Sequence, residues 1–209
     1  MTILQHSFFA QTTLIVARAL LGQRLVRELD DQRLSGLIVE TEAYIGPNDS
    51  ASHASKGRTP RTEVMFGPPG RTYVYFVYGM HHMLNIVTEA EGFPAAVLIR
   101  AIEPVEGVAV MQVNRHTLTP TTCPRQGVSQ KEREMLTNGP ARLCQAFQID
   151  RSLNNWDVSL GEKLWLEPGD SIPDAAVATG PRIGVNYAHP TDRAAPWRFW
   201  IRDSRFVSK

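Results

Sequence analysis

Apolar and polar positions along the chain change period several times, and each change marks an element. Leu14, Ala17 and Leu21 fall on one helical stripe that Thr13 opens and Gly22 ends, predicting a helix over Thr13–Leu21. Two strands follow, Gln23–Leu29 and Leu34–Tyr44, joined by the polar turn Asp30-Asp31-Gln32. Gly46–Gly70 is rich in Gly, Pro, Ser and Thr and reads as a long loop, a feature that compact domains tend to keep for function. Strand character returns at Arg71–Gly79, Met83–Thr88 and Ala95–Ile102, and Glu106–His116 reads as a helix. Thr117–Gln130, with Pro120, Pro124 and Gly127, reads as an exposed, mobile excursion. Pro140 opens another helix containing Leu143, Cys144 and Phe147. Short strands are expected at Lys163–Leu166, Ile183–Tyr187 and Trp197–Arg202. Strands outnumber helices and come in adjacent runs. The expected fold is α+β: one domain over residues 1–209, a largely antiparallel curved sheet flanked by helices.

Composition narrows the setting. A chain of 209 residues that is 43% hydrophobic and 21% charged has an ordinary soluble balance. No apolar run approaches the roughly 20 residues of a membrane span. Met1–Phe9 lacks the basic start and apolar centre of a signal peptide, so the cytoplasm is the expected compartment. Cys123 and Cys144 are too few for a disulfide framework and lack metal-ligand spacing. A net charge of +1 announces no nucleic-acid partner. From Arg182 onward, however, six Lys or Arg face Asp192 and Asp203, either a cationic patch or an ordinary solvated surface.

The chemistry concentrates in Leu37-Ile38-Val39-Glu40-Thr41-Glu42-Ala43-Tyr44. Period two puts Ile38, Glu40, Glu42 and Tyr44 on one face and Leu37, Val39, Thr41 and Ala43 on the other. Acids beside an aromatic on rigid β-structure suit a general base; the bland alternative is a solvated strand face. Two positions along a strand span roughly 6.5–7 Å, loosely compatible with paired-carboxylate glycoside hydrolysis. Tyr73-Val74-Tyr75-Phe76-Val77-Tyr78-Gly79 is either a buried aromatic strand or a set of planar side chains for a planar ligand, with Tyr78 projecting at a turn. His53 stands alone in its loop, and the consecutive His81-His82 make a poor metal pair. Arg100 interrupts the apolar run Ala96–Ile102 and needs a carboxylate partner, Glu40 or Glu42. No HExxH, zinc spacing, phosphate loop or dinucleotide fingerprint occurs, so chemistry without a cofactor or metal is expected.

Taken in order, these motifs resemble the alkyladenine (3-methyladenine) DNA glycosylase family. The match runs through Val39–Tyr44, His53 eleven residues after Glu42, Tyr73–Met80, Asn85, Leu98–Pro104, Asn138–Cys144, Arg182–Val185 and Trp197–Arg202, about Leu14 to Val207 in all. The resemblance implies Glu42 as general base for attack of water at the sugar C1′. It implies that Arg100 positions that water and that the Val185 main-chain carbonyl helps hold it. Tyr44, His53 and Tyr75 would line the pocket and stack on an extruded base, Asn85 would exclude the exocyclic amine of guanine, and Tyr78 would wedge into the duplex. The likeness is loose at His81-His82, at Thr117–Gln130 and at Asn186–Ala195.

The expected activity is therefore that of a monofunctional, cofactor-free glycosylase. It would act as a monomer without an obligatory protein partner on double-stranded DNA carrying alkylated or deaminated purines, away from membranes. Its place would be the nucleoid in a bacterium or the nucleus in a eukaryote. N3- or N7-alkylated purines are cationic, so they leave as neutral bases, and tyrosines stack well on such cations. Two rivals remain: an O-glycosidase using Glu40 and Glu42, and a nucleic-acid binding module without catalysis.

Overall fold

One long strand organises the molecule. The computed structural model describes residues 2–116 and 129–208; most of the predicted excursion, residues 117–128, lies outside the described residues. Strand β1 (Arg24–Leu29) turns into β2 (Gln32–Ile45) through Asp30 and Asp31, both left-handed at φ 47° and 61°. That two-residue turn matches the twist of paired strands, and Asp tolerates the conformation. The remaining strands are β3 (Thr72–Val77), β4 (His81–Val87), β5 (Ala95–Glu106), β6 (Leu164–Glu167), β7 (Val177–Gly180) and β8 (Arg198–Ile201). The main order is β3-β4-β5-β2-β1-β6, with every recorded pairing antiparallel. β8 joins β2 beside Glu40, Thr41 and Glu42 and carries β7 on its other side. The carboxylates thus sit mid-sheet, between β5 and β8.

Six α-helices are described: α1 (His6–Phe9), α2 (Thr13–Ala19), α3 (Val108–His116), α4 (Gln130–Thr137), α5 (Pro140–Ala146) and α6 (Pro190–Ala194). Val74, Leu84, Ile86, Val97 and Ile99 of the sheet pack in one apolar core with Val16 and Leu20, Met111, Leu143 and Phe147. Each such side chain, fully buried, contributes about 1.5–3 kcal/mol. The alternate residues Tyr73, Tyr75, Met83, Asn85 and Leu98 face the other way, and there a cleft forms.

Three differences from the sequence-based expectations have physical causes. Register shifts on both sides of Glu40 break the period of two. Ile38 consequently joins the main core with Ala43, while Val39 packs with Ala101 and Phe206 in a separate cluster. A bulge re-aims the side chains that follow it, so Ile38 does not share a face with the carboxylates. Ile183–Tyr187 is a turn segment and not a strand, with Gly184 at φ 81°. Helix α4 starts at the end of the supposed excursion: Ser129 and Glu132 form a reciprocal capping box. The Gly46–Gly70 loop is itself folded, with 3-10 turns at His53–Lys56 and Glu63–Phe66 that bury Ala54 and Met65 against Tyr73.

Candidate active site

A cleft of about 230 Å³ opens on the face of the sheet opposite the helical core. Tyr44 comes from β2, Tyr73 and Tyr75 from β3, Asn85 from β4 and Arg100 from β5. His53 enters from the folded loop and Val185 and Tyr187 from the turn segment, so chain stretches far apart in sequence meet at one wall.

Glu42 stands just behind that wall. Its side chain has no exposure, and Tyr44, Arg100 and Ile183, its partners, all line the cleft. Oε1 accepts the Ile183 backbone N–H at 2.7 Å and lies 3.2 Å from Arg100 Nη1; Oε2 accepts the Tyr44 hydroxyl at 2.9 Å. Burial raises the Glu42 carboxyl above its ordinary range, and Arg100, the Ile183 N–H and Tyr44 oppose the rise. A raised carboxyl held by two hydrogen bonds and an ion pair is a stronger base than a solvated one and is fixed in direction.

Glu40, two residues earlier and equally buried, is engaged elsewhere. It accepts from Arg100 Nε at 3.0 Å, Arg198 Nε at 2.6 Å, and the Ser208 hydroxyl and N–H at 2.8 and 2.7 Å. It does not line the cleft. Arg100 therefore pairs with both candidate carboxylates.

The aromatic wall is ordered by its own contacts. His53 Nδ1 lies 3.0 Å from the Tyr73 hydroxyl, and its ring meets the Tyr75 ring edge-on at 4.6 Å. Arg61 approaches His53 Nε2 at 3.4 Å, which makes that nitrogen the acceptor and leaves the proton on Nδ1. Burial, helped by Arg61, lowers the His53 pKa to about 4, so the imidazole is neutral at pH 7. Burial also raises the hydroxyls of Tyr44, Tyr73 and Tyr75, keeping all three phenols protonated. Asn85 is fixed by its amide N–H, which donates to the Tyr73 carbonyl at 3.0 Å. The Val185 carbonyl accepts the Ala188 N–H at 3.0 Å and keeps a second lone pair.

Tyr78 is set apart at the β3–β4 hairpin tip. It is 88% exposed and left-handed at φ 52°, followed by Gly79 at φ 69°. A tyrosine in that conformation stores on the order of 1 kcal/mol of strain, a state associated with functional positions. Met80 and Phe76 extend the exposed apolar tip.

Several contributors escaped the sequence reading. Arg182, within the Arg182–Val185 motif, is wholly buried and bonds Asp49 at 2.5 and 2.8 Å and the Ala43 carbonyl at 2.9 Å. Its guanidinium lies between the rings of Tyr44 at 4.8 Å and Trp197 at 4.9 Å. Asp49 also accepts the Ile45 and Ala51 N–H groups, so this one pair fixes both loops that flank the cleft. Tyr187 closes the rim by donating its hydroxyl to the Ala51 carbonyl at 2.8 Å. Among the described residues, no group of three His, Cys, Asp or Glu side chains is placed to hold a metal ion, and no helix is long and apolar enough to cross a membrane.

Comparison with known proteins decides the class. A profile of the methylpurine-DNA glycosylase family matches residues 7–205. A protein of Myxococcus xanthus, provisionally named a 3-methyladenine DNA glycosylase, is 51% identical, with 99% of this chain and 93% of that protein covered. Provisionally so named as well are a 48% identical protein of Methanocella arvoryzae (100% and 97% covered) and a 46% identical one of Desulfitobacterium hafniense (98% and 98%). The chain belongs to the methylpurine-DNA glycosylase family. It is thus a DNA glycosylase, an enzyme that hydrolyses N-glycosyl bonds, and the cleft behind which Glu42 sits is the candidate place for that hydrolysis.

Proposed function

We propose that this methylpurine-DNA glycosylase takes alkylated or deaminated purines out of duplex DNA and hydrolyses the N-glycosidic bond with a water activated by Glu42. The product is an abasic site on an uncut strand, and the enzyme acts as a monomer without a cofactor. The observation that carries the reading is the placement of Glu42: a buried carboxylate of raised basicity directly behind an aromatic cleft, hydrogen-bonded to two groups of its wall and ion-paired with a third.

The geometry is compatible with the following steps. Tyr78, held out from the hairpin, fills the stack that the extruded nucleotide leaves. The base enters between Tyr44, His53 and Tyr75, in a space smaller than the roughly 300–1,000 Å³ of drug-sized sites and suited to one planar ring system. Water sits between Glu42, Arg100 and the Val185 carbonyl, and Glu42 takes its proton as oxygen bonds to C1′. The C1′–N bond breaks, and its electron pair neutralises an N3- or N7-alkylated purine, so that base departs without prior protonation. Neutral His53 adds no charge against such a cation. Asn85, fixed in the cleft wall, excludes the exocyclic amine of normal guanine. Among the described residues no lysine lines the cleft to form a Schiff base, which fits release without strand cleavage.

The O-glycosidase alternative needs Glu40 as a second acid or base. Its oxygens already accept four hydrogen bonds and lie off the cleft, which argues against that role. The test is incubation with methylated duplex DNA, measuring free 3-methyladenine and strand integrity. Free base with intact, alkali-labile strands is expected. Binding without base release, or cleavage of the strand by the enzyme alone, would overturn the proposal.

A further inference from the structure

The three nitrogens of the Arg100 guanidinium meet three different residues. Nε donates to Glu40 Oε1 at 3.0 Å, Nη1 stands 3.2 Å from Glu42 Oε1, and Nη2 donates to the Ser208 hydroxyl oxygen at 3.1 Å. A planar fork held at each corner has no torsional freedom left. The frame that holds it is itself closed. Ser208 passes its hydroxyl proton to Glu40 at 2.8 Å and adds its backbone N–H at 2.7 Å, while Arg198 reaches Glu40 at 2.6 Å and lies over Trp200 at 4.6 Å. Phe206, buried against Val39 and Ala101, docks the segment that delivers Ser208. Arg100 lines the cleft; Glu40, Arg198 and Ser208 do not.

Charge points the same way. Glu40 and Glu42 carry two negative charges and Arg100 and Arg198 two positive ones, so the cluster is neutral when both carboxylates are ionised. A buried carboxylate remote from the cleft is no gain in stability over an apolar side chain of similar size. Its use lies in fixing the group that does reach the cleft.

We propose that Glu40 and Ser208 are positioning residues that aim Arg100 at Glu42 and the attacking water. This rests on the reading of Glu42 as the general base. The other groups around Glu42 are Tyr44 from its own strand, Arg198 opposite it on β8, Arg182 and the Ile183 N–H from the turn segment, and the more distant Tyr75 and Tyr187. Removing the charge of Glu40 leaves two arginines facing one carboxylate, which favours ionised Glu42. Removing the Ser208 hydroxyl loosens Arg100 without altering any charge.

The experiment measures single-turnover release of 7-methylguanine from methylated duplex DNA across pH, with lesion binding in parallel, for the wild type, Glu40→Gln, Ser208→Ala and Glu42→Gln. Both positioning variants are expected to slow release by on the order of tenfold to a hundredfold while lesion binding holds. In Glu40→Gln the acid limb of the profile moves to lower pH, whereas in Ser208→Ala it stays in place. A merely structural role moves neither limb. If Glu40→Gln does not fold, Ser208→Ala decides alone: slower release with intact binding supports the proposal, and wild-type release overturns it. Wild-type release by both variants beside an inactive Glu42→Gln sinks this proposal and leaves the base assignment standing. An active Glu42→Gln removes the base assignment, and this inference with it.

Discussion

Glu40 and Glu42 are the same residue type, two positions apart on one strand, with no exposure at either side chain. Glu40 looks toward β8 and the Ser208 segment, where two arginines and a serine take up its oxygens. Glu42 looks toward the cleft, where among the described residues Oε2 receives only the Tyr44 hydroxyl. Each carboxylate has one oxygen with a single recorded donor, the Ser208 N–H on Glu40 Oε2 and the Tyr44 hydroxyl on Glu42 Oε2, but only for Glu42 do all the partners line the cleft. Burial and residue type therefore do not define a catalytic carboxylate. What sets apart the carboxylate proposed as the base is that its partners form the wall of a space that substrate can enter.

The largest expected effect comes from removing the open partner. Glu42→Gln should lower single-turnover base release by about 10²–10⁴-fold, the usual worth of a general base, with lesion binding retained. Stability should move the other way. Because the folded Glu42 carboxyl lies above the ordinary value of 4.5, the unfolded chain loses its proton first as pH rises. That group's contribution is then complete below the ordinary value and is lost as pH climbs through the folded value. Glu42→Gln removes this loss, so its Tm at neutral pH should equal or exceed that of the wild type. A clear fall in Tm would contradict the burial argument.

Next in size is the pair that aligns the cleft's flanking loops. Arg182→Ala leaves Asp49 charged and buried, and should destabilise by about 3–5 kcal/mol, read as a lower urea midpoint. A variant as stable as the wild type would show that the loops are held without it. Smaller again is Tyr78→Ala at the exposed tip. Lesion-duplex affinity should fall by on the order of tenfold, as loss of one stacked ring implies, while Tm stays near the wild-type value. Unchanged affinity would end the wedge assignment. At neutral pH the smallest effect is a pH-linked one that involves His53. Between its ordinary value of 6.5 and its folded value of about 4, the unfolded chain binds a proton that the fold refuses. Stability should drop as pH falls through that window, and His53→Gln should flatten that part of the curve.

Much of this was legible in the sequence because local chemistry marks it. The β1–β2 hairpin announces itself through Asp30-Asp31 between apolar runs, and Tyr78-Gly79 marks the exposed hairpin tip. The motif residues Glu42, Tyr44, His53, Tyr75, Asn85, Arg100 and Val185 were all named, and the fold brings six of them into the wall of one cleft with Glu42 behind it. What stayed hidden depends on long-range pairing. Nothing local says that Ser208 reaches Glu40 across 168 positions, or that Asp49 meets Arg182 across 133. The bulge at Glu40 was also invisible, because strand alternation assumes a regular ladder and only the pairing with β5 breaks it. Ile183–Tyr187 has β-forming residues, yet it is bent by Gly184 and tied through the Ile183 N–H to Glu42 instead of to a neighbouring strand. The capping signature Ser129–Glu132 was readable and was overshadowed by the prolines before it.

The division of labour between the two carboxylates is tested most directly by a double-mutant cycle on single-turnover base release. The four proteins are the wild type, Glu40→Gln, Glu42→Gln and the double variant. If Glu40 acts only through Arg100 on Glu42, the double variant should be no slower than Glu42→Gln alone, within a factor of about two to three, the usual scatter of additivity tests. Losses that multiply, with the double variant slower by the full product of the two single effects, would mean that Glu40 contributes to the chemistry independently and that the account given for it is wrong.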